Sequence, residues 1–239
     1  MWRELADILL PRACLVCGCV LGMQEQHLCI RCAADLPLTY YWERVHNPMA
    51  DEFNAVLERH RGSEETLPYV QAAALTFYHH ENPYKLIPRA LKYQGNIAAG
   101  QYYGALLGRY MAGVAHWRNV DMVVPVPLHW RRQWERGYNQ AEVIAGSVAR
   151  ELGAALCTRL LYRASHTSTQ TRLDADARLR NVENVFRVRD GPSCSPRHIL
   201  LIDDTFTTGA TLAACHKALR SALGHSVQIS VATLAVVQD

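Results

Sequence analysis

The sequence predicts an α/β fold, a doubly wound and mainly parallel sheet with helices on both faces, preceded by a small cysteine-bearing segment. Three observations predict it. The apolar run Ile199-Leu200-Leu201-Ile202 stops at Asp203-Asp204, and such a run bounded by turn residues reads as a strand buried on both faces. A second run, at residues 122–127, also leads toward a helix-like stretch. Near the start, two Cys-x-x-Cys pairs stand apart from the rest. With 239 residues, 49% of them apolar, the chain has room for one full-size domain and an appendage. We divide it into residues 1–68, a zinc knuckle and connector, and residues 69–239, the main domain.

In the first segment Cys14-Leu15-Val16-Cys17 is followed after eleven residues by Cys29-Ile30-Arg31-Cys32. Each pair can bring two thiolates to one ion, the pattern of a closed tetrahedral Cys₄ zinc site. Cys14, Cys17, Cys29 and Cys32 are the expected ligands, with Cys19 and His27 as spare groups. Residues 35–68, punctuated by Pro37, Pro48, Gly62 and Pro68, read as a connector carrying a short helix over 51–60.

The main domain opens with alternation over 70–78, a strand. Residues 84–93 read as a helix with Leu86, Ile87, Ala90 and Leu91 on one face. Lys92, at its end, suits either a helix carboxyl terminus or an anionic ligand. A further helix is expected over 102–117, and the strand over 122–127 is stopped by its prolines. Next comes a basic loop whose Arg131, Arg132 and Arg136 can grip phosphate oxygens in bidentate fashion. A helix follows over 140–152. From 167 to 181 polar residues replace any apolar period, and a loop this long in a compact domain reads as a lid.

The net charge of +3, from 25 basic and 22 acidic residues, does not by itself call for nucleic acid or a membrane. Seven arginines between 159 and 189, against three acids, give that segment a local affinity for anions. No apolar run approaches the length of a spanning helix, and residues 1–5 lack a basic leader, so no membrane insertion and a cytoplasmic location are expected. Two clustered cysteine pairs among eight cysteines fit a reducing compartment.

The richest segment is Asp203-Asp204-Thr205-Phe206-Thr207-Thr208-Gly209-Ala210-Thr211. Placed after a core strand and before a helix, Thr207, Thr208, Gly209, Ala210 and Thr211 offer successive amides, hydroxyls and a helix dipole to a phosphate. Ionised Asp203 and Asp204 only accept hydrogen bonds, so they suit sugar hydroxyls or a hard cation such as Mg²⁺. No lysine follows Gly209 and no GxGxxG is present, which excludes the two commonest nucleotide cradles.

This run resembles the phosphoribosyl-pyrophosphate (PRPP) motif of type I phosphoribosyltransferases. The wider chain is similar to the ComF family (ComFC/GntX-like), through its paired cysteines, Leu91-Lys92-Tyr93-Gln94-Gly95, Val124-Pro125-Val126-Pro127, Arg136-Gly137-Tyr138-Asn139-Gln140, Thr169-Gln170, Arg178 and Asn181. The resemblance implies a phosphoribosyltransferase-like fold and PRPP as ligand. Asp203 and Asp204 would meet ribose hydroxyls with Mg²⁺ nearby, Thr207 to Thr211 would hold the 5′-phosphate, and Thr205 would also line the PRPP site. Lys92, Arg131 and Arg136 would serve the pyrophosphate side, and Thr169, Gln170, Arg178 and Asn181 the flap. It further implies transfer of ribose 5-phosphate with loss of pyrophosphate, or else single-stranded DNA handling in competence, with competence proteins as partners.

Overall fold

The computed structural model describes residues 11–59, 68–79, 81–164, 185–189 and 196–237. In chain order the strands are β1 (Ala72–Tyr78), β2 (Met122–Pro125), β3 (Ala155–Leu156), β4 (Leu161–Arg163), β5 (Phe186–Val188), β6 (His198–Phe206) and β7 (Gln228–Val237). Five form a sheet in the order β1-β7-β6-β2-β3, parallel at every pairing, while β4 and β5 make a separate antiparallel ribbon. The helices are α1 (Ile30–Ala34), α2 (Pro48–Arg59), α3 (Leu86–Tyr93), α4 (Ile97–Ala112), α5 (Trp130–Arg136), α6 (Gln140–Leu152) and α7 (Ala210–Leu223).

Side chains alternate across the sheet and build two cores. Ile199 and Leu201 of β6 join Phe53 and Val56 of α2 and Cys215 and Leu219 of α7. Leu200 and Ile202 join Leu91 of α3, Tyr103 and Leu107 of α4, and Ile144 and Val148 of α6. Each of the buried Ile, Leu, Val and Phe side chains among them contributes about 1.5–3 kcal/mol by leaving water. The two-layered covering is why β6 reads as unbroken apolar sequence rather than as alternation.

The amino-terminal segment is built into the second core. Cys14, Leu21, Leu28 and Trp42 pack with Tyr103 and Leu107, and the Trp42 ring stacks on Tyr110 at 4.7 Å. Trp117 Nε1 donates to the Trp42 carbonyl at 2.8 Å. The close pairing of α4 with α6 depends on Gly104, where a Cβ would lie 3.0 Å from the Ile144 carbonyl oxygen and 3.1 Å from Ser147 Cβ.

Several elements differ from the sequence expectations. α4 begins at Ile97, not 102, because the Asn96 side chain accepts from the Ala99 amide at 3.0 Å and caps it early. The helix also ends at Ala112, and Ala115–Trp117 is a separate 3₁₀ turn. The basic loop after β2 is a short helix, α5, started by His129 Nδ1 accepting from the Arg131 amide and ended by Gly137 at φ 78°. β6 does not stop at the carboxylates but runs on to Phe206. The long neighbour β7 supplies the ladder, pairing Asp203 with Thr233, Thr205 with Ala235 and Phe206 with Val236. The helix of the connector spans Pro48–Arg59.

Candidate functional site

The chain leaves β2 through α5 and α6 toward β3 at one edge, and leaves β6 through α7 toward β7 on the other side. α6 covers one face and α7 the opposite one. Adjacent strands whose following helices diverge in this way open a crevice at their carboxyl ends, where ligands of doubly wound sheets sit. The Val126 amide donates to the Ile202 carbonyl at 2.8 Å, so the end of β2 lies directly beside Asp203.

Alternation sends the two carboxylates to different faces. Asp204 accepts an ion pair from Lys92 Nζ at 2.9 Å, with Lys92 26% and Asp204 13% exposed, and Lys92 also donates to Thr205 Oγ1 at 3.3 Å. The lysine at the end of α3 is thus folded onto the acidic pair. Asp203 lies toward α7, where burial first and the Asp204 charge second push its carboxyl up from 3.8 to about 7. The Asp204 amide, donating to Asp203 Oδ1 at 2.8 Å, and the Lys92 charge oppose that rise. Cys215 beneath it is held well above its ordinary range, chiefly by burial and then by Asp203.

After β6, Thr207 and Thr208 are exposed and Gly209 is buried at φ 70°. A Cβ at Gly209 would sit 3.0 Å from the Phe206 ring and 3.2 Å from Phe53 Cδ2, so only glycine fits the turn without displacement. α7 starts at Ala210, and no side chain caps it. Its first amides therefore keep their capacity for an anion, and the threonines are not consumed as caps.

The other expected residues are brought in unequally. Arg136 Nη1 donates to Gln140 Oε1 at 3.0 Å, and its guanidinium lies 5.6 Å over the ring of Tyr93, the neighbour of Lys92. The Tyr138 hydroxyl donates to the Leu91 carbonyl, which ties the start of α6 to the end of α3. Asn139 Nδ2 reaches the Val126 carbonyl at 3.0 Å, fixing the same corner to β2. Arg131 sits apart on the exposed first turn of α5, 5.2 Å over the Trp130 ring. Thr169, Gln170, Arg178 and Asn181 lie outside the described residues. Sequence reasoning assigned no function to Tyr138 as a tether or to Cys215 as a neighbour of Asp203. The tyrosine stood in a recognised motif, whereas nothing local marked the cysteine.

The amino-terminal thiols gather in a second site. Those of Cys14, Cys17, Cys19 and Cys29 lie within 4.8 Å of one another. Cys17 and Cys29 sulfurs are 3.7 Å apart, matching the edge of about 3.8 Å that four sulfurs at about 2.3 Å from one zinc would have. Burial resists ionisation of Cys14, but amides of Cys17, Cys29 and Val16 donate to its sulfur and bring it down to about 6. Cys32 is buried on α1, its thiol raised by burial and then by Cys17, Cys29 and Cys14. His27 is engaged elsewhere, its ring 5.2 Å from Tyr102. The donor set suits a structural zinc ion: of the expected ligands Cys14, Cys17 and Cys29 lie in the group within 4.8 Å, Cys19 joins them, and Cys32 lies outside that group while adjoining Cys17, Cys29 and Cys14.

No protein-family model matches the chain. It is 36% identical over 110 residues to "Competence protein F" of Haemophilus influenzae, covering 46% of this chain and 48% of that one. It is 38% identical over 93 residues to "DNA utilization protein YhgH" of Escherichia coli, covering 39% and 40%. With "Competence protein ComFC" of Bacillus subtilis the identity is 33% over 118 residues, covering 49% and 45%. The chain thus spans less than half the length of these curated relatives. Among the described residues no helix is long and apolar enough to cross a membrane.

Proposed function

We propose that this chain, a ComF-family protein, binds PRPP with Mg²⁺ at the carboxyl ends of β2 and β6 and passes ribose 5-phosphate to an acceptor, releasing pyrophosphate. The observation that carries the reading is the last part of β6: two carboxylates close to its carboxyl end, then an uncapped helix start behind a left-handed glycine, at a sheet switch point. In this reading the amides from Thr207 to Thr211 hold the terminal phosphate. Asp204 steadies the ribose hydroxyls as positive charge grows on the ring, and Asp203 accepts from them or holds the cation. Lys92 leaves Asp204 for the incoming pyrophosphate, joined by Arg136 and Arg131. Bound Mg²⁺ would offset charge on the departing pyrophosphate. The segment containing Thr169, Gln170, Arg178 and Asn181 would exclude water from the activated sugar. No nucleophilic side chain is required. Calorimetry with PRPP in Mg²⁺ tests the assignment: the wild type should bind, and Asp203→Asn combined with Asp204→Asn should not. Equal binding by both would sink it.

A second reading, in which the protein handles single-stranded DNA with competence proteins as partners and PRPP is regulatory, is favoured by one surface. Trp130 is 59% and Trp134 85% exposed on α5 beside Arg131 and Arg132, and Tyr93 is 71% exposed under Arg136. Exposed rings interleaved with guanidiniums provide stacking and charge for a strand. The names of these relatives, competence and DNA utilization, agree with this role, which would be exercised in the cytoplasm. Binding of a single-stranded oligonucleotide that falls steeply with added salt, and weakens in Trp134→Ala, is the expected result. Indifference to the strand at low salt would remove this reading.

A further inference from the structure

Four sulfurs, those of Cys14, Cys17, Cys19 and Cys29, lie within 4.8 Å of one another, and Cys32 adjoins Cys17, Cys29 and Cys14, so five thiols stand where a tetrahedral ion uses four. Cys14, Cys29 and Cys32 are buried, at 3%, 8% and 9% exposure, whereas Cys17 and Cys19 are exposed. The two outer sulfurs are 3.3 Å apart. The main chain sets them together: the Cys14 amide donates to the Cys19 carbonyl at 2.8 Å, and the Gly18 amide to the Cys14 carbonyl at 2.9 Å. Gly18, at φ 73°, turns the chain between them in open space. With zinc bound, the buried Cys14, Cys29 and Cys32 would supply the inner ligands, and the two solvent-facing thiols would compete for the fourth position.

We propose that Cys17 and Cys19 form a redox-sensitive edge of the zinc site, in which a peroxide joins them as a disulfide and thereby removes the fourth ligand from the ion. The inference rests on zinc being the resident metal. With Cys17 ligated as thiolate and Cys19 as a free thiol, hydrogen peroxide takes two electrons, one from each sulfur. The O–O bond breaks, the S–S bond forms, and the Cys19 proton leaves with the oxygens as one water and one hydroxide. The sulfurs must close from 3.3 Å to a bond of about 2.05 Å, a short movement within an exposed glycine turn. Zinc left with three protein thiolates has an open position and is readily lost to a chelator. A thiol reductant with added zinc restores the site. In the reduced state the spare thiol also makes the two outer positions exchangeable, so either cysteine can complete the tetrahedron.

The test uses the full chain as purified with its zinc. Hydrogen peroxide is added, released metal is read with a chromogenic chelator, and disulfides are mapped by peptide mass spectrometry. The expected result is one zinc released per chain together with a peptide two hydrogens lighter, bonded Cys17 to Cys19, both reversed by reductant and zinc. Cys19→Ala should keep its zinc and release it several-fold more slowly. Cys17→Ala should also keep one zinc, because Cys19 takes the vacated place, and should form no bond at this edge. A first bond mapped to Cys14, Cys29 or Cys32 would overturn the proposal, as would zinc release from Cys19→Ala at the wild-type rate or zinc lost from Cys17→Ala before any oxidant. Protein that folds and carries no zinc would overturn the metal reading, and this proposal with it, while leaving the PRPP calorimetry independent.

Discussion

Replacing Asp203 with asparagine should stabilise the free protein while abolishing its ligand binding. The carboxyl is raised from 3.8 to about 7, by burial and then by Asp204. At 1.36 kcal/mol for each tenfold change in acidity, holding it ionised in the fold costs about 4 kcal/mol. The sign follows from proton binding. Between 3.8 and about 7 the folded state keeps the proton that the unfolded chain has released, so this group lowers stability as pH rises through that interval. Above it the penalty is complete. Two buried histidines act in the opposite direction: His198 and His216 are lowered from 6.5 to about 4 by burial, so they favour the fold increasingly as pH rises between those values. Comparing wild type with Asp203→Asn at each pH removes their contribution. Urea unfolding followed by tryptophan fluorescence should give equal stabilities near pH 4 and an advantage for the variant that grows to about 4 kcal/mol above pH 7, where the carboxyl is fully ionised. The same variant should show no PRPP binding by calorimetry. A variant less stable than wild type at pH 8, or an advantage independent of pH, would refute the claim that Asp203 is a strained, ligand-facing acid.

Three further outcomes are expected. Lys92→Met leaves Asp204, only 13% exposed, without its cation, so unfolding stability should fall by about 1–3 kcal/mol and PRPP affinity about tenfold or more. Gly104→Val drives atoms into Ile144 and Ser147, and urea denaturation should show a loss of about 1–3 kcal/mol. Stripping zinc with a chelator should lower the thermal midpoint and the near-ultraviolet dichroism of the aromatic rings, because Cys14 and Trp42 share a core with Tyr103 and Leu107.

What was legible in the sequence was what is local. The strand, glycine turn and helix around Asp203 to Thr211 lie in one continuous stretch, and the observed helix start at Ala210 follows the turn as read. α6 likewise matches its periodic pattern at Gln140–Leu152, with Asn139 accepting from the Ala141 amide as its cap. What could not be read was set by distant partners. β6 extends past the carboxylates because β7 offers a ladder there, and no residue in β6 itself announces that length. The Lys92 contact with Thr205 spans 113 positions, so a lysine compatible with a helix terminus was equally compatible with a ligand until the sheet brought its partners together. Gly104 looks like a weak helix residue until α6 is seen against it. Cys19 falls outside the symmetric spacing, yet the turn at Gly18 folds it back beside Cys17.

The most direct test of the central claim is an amide NMR titration of the zinc-loaded protein with PRPP in Mg²⁺. The resonances of Thr207, Thr208, Gly209, Ala210 and Thr211 should shift saturably, with those of Asp203 and Asp204 moving in the same titration. PRPP that leaves these amides unmoved, whether it binds elsewhere or not at all, would contradict the account.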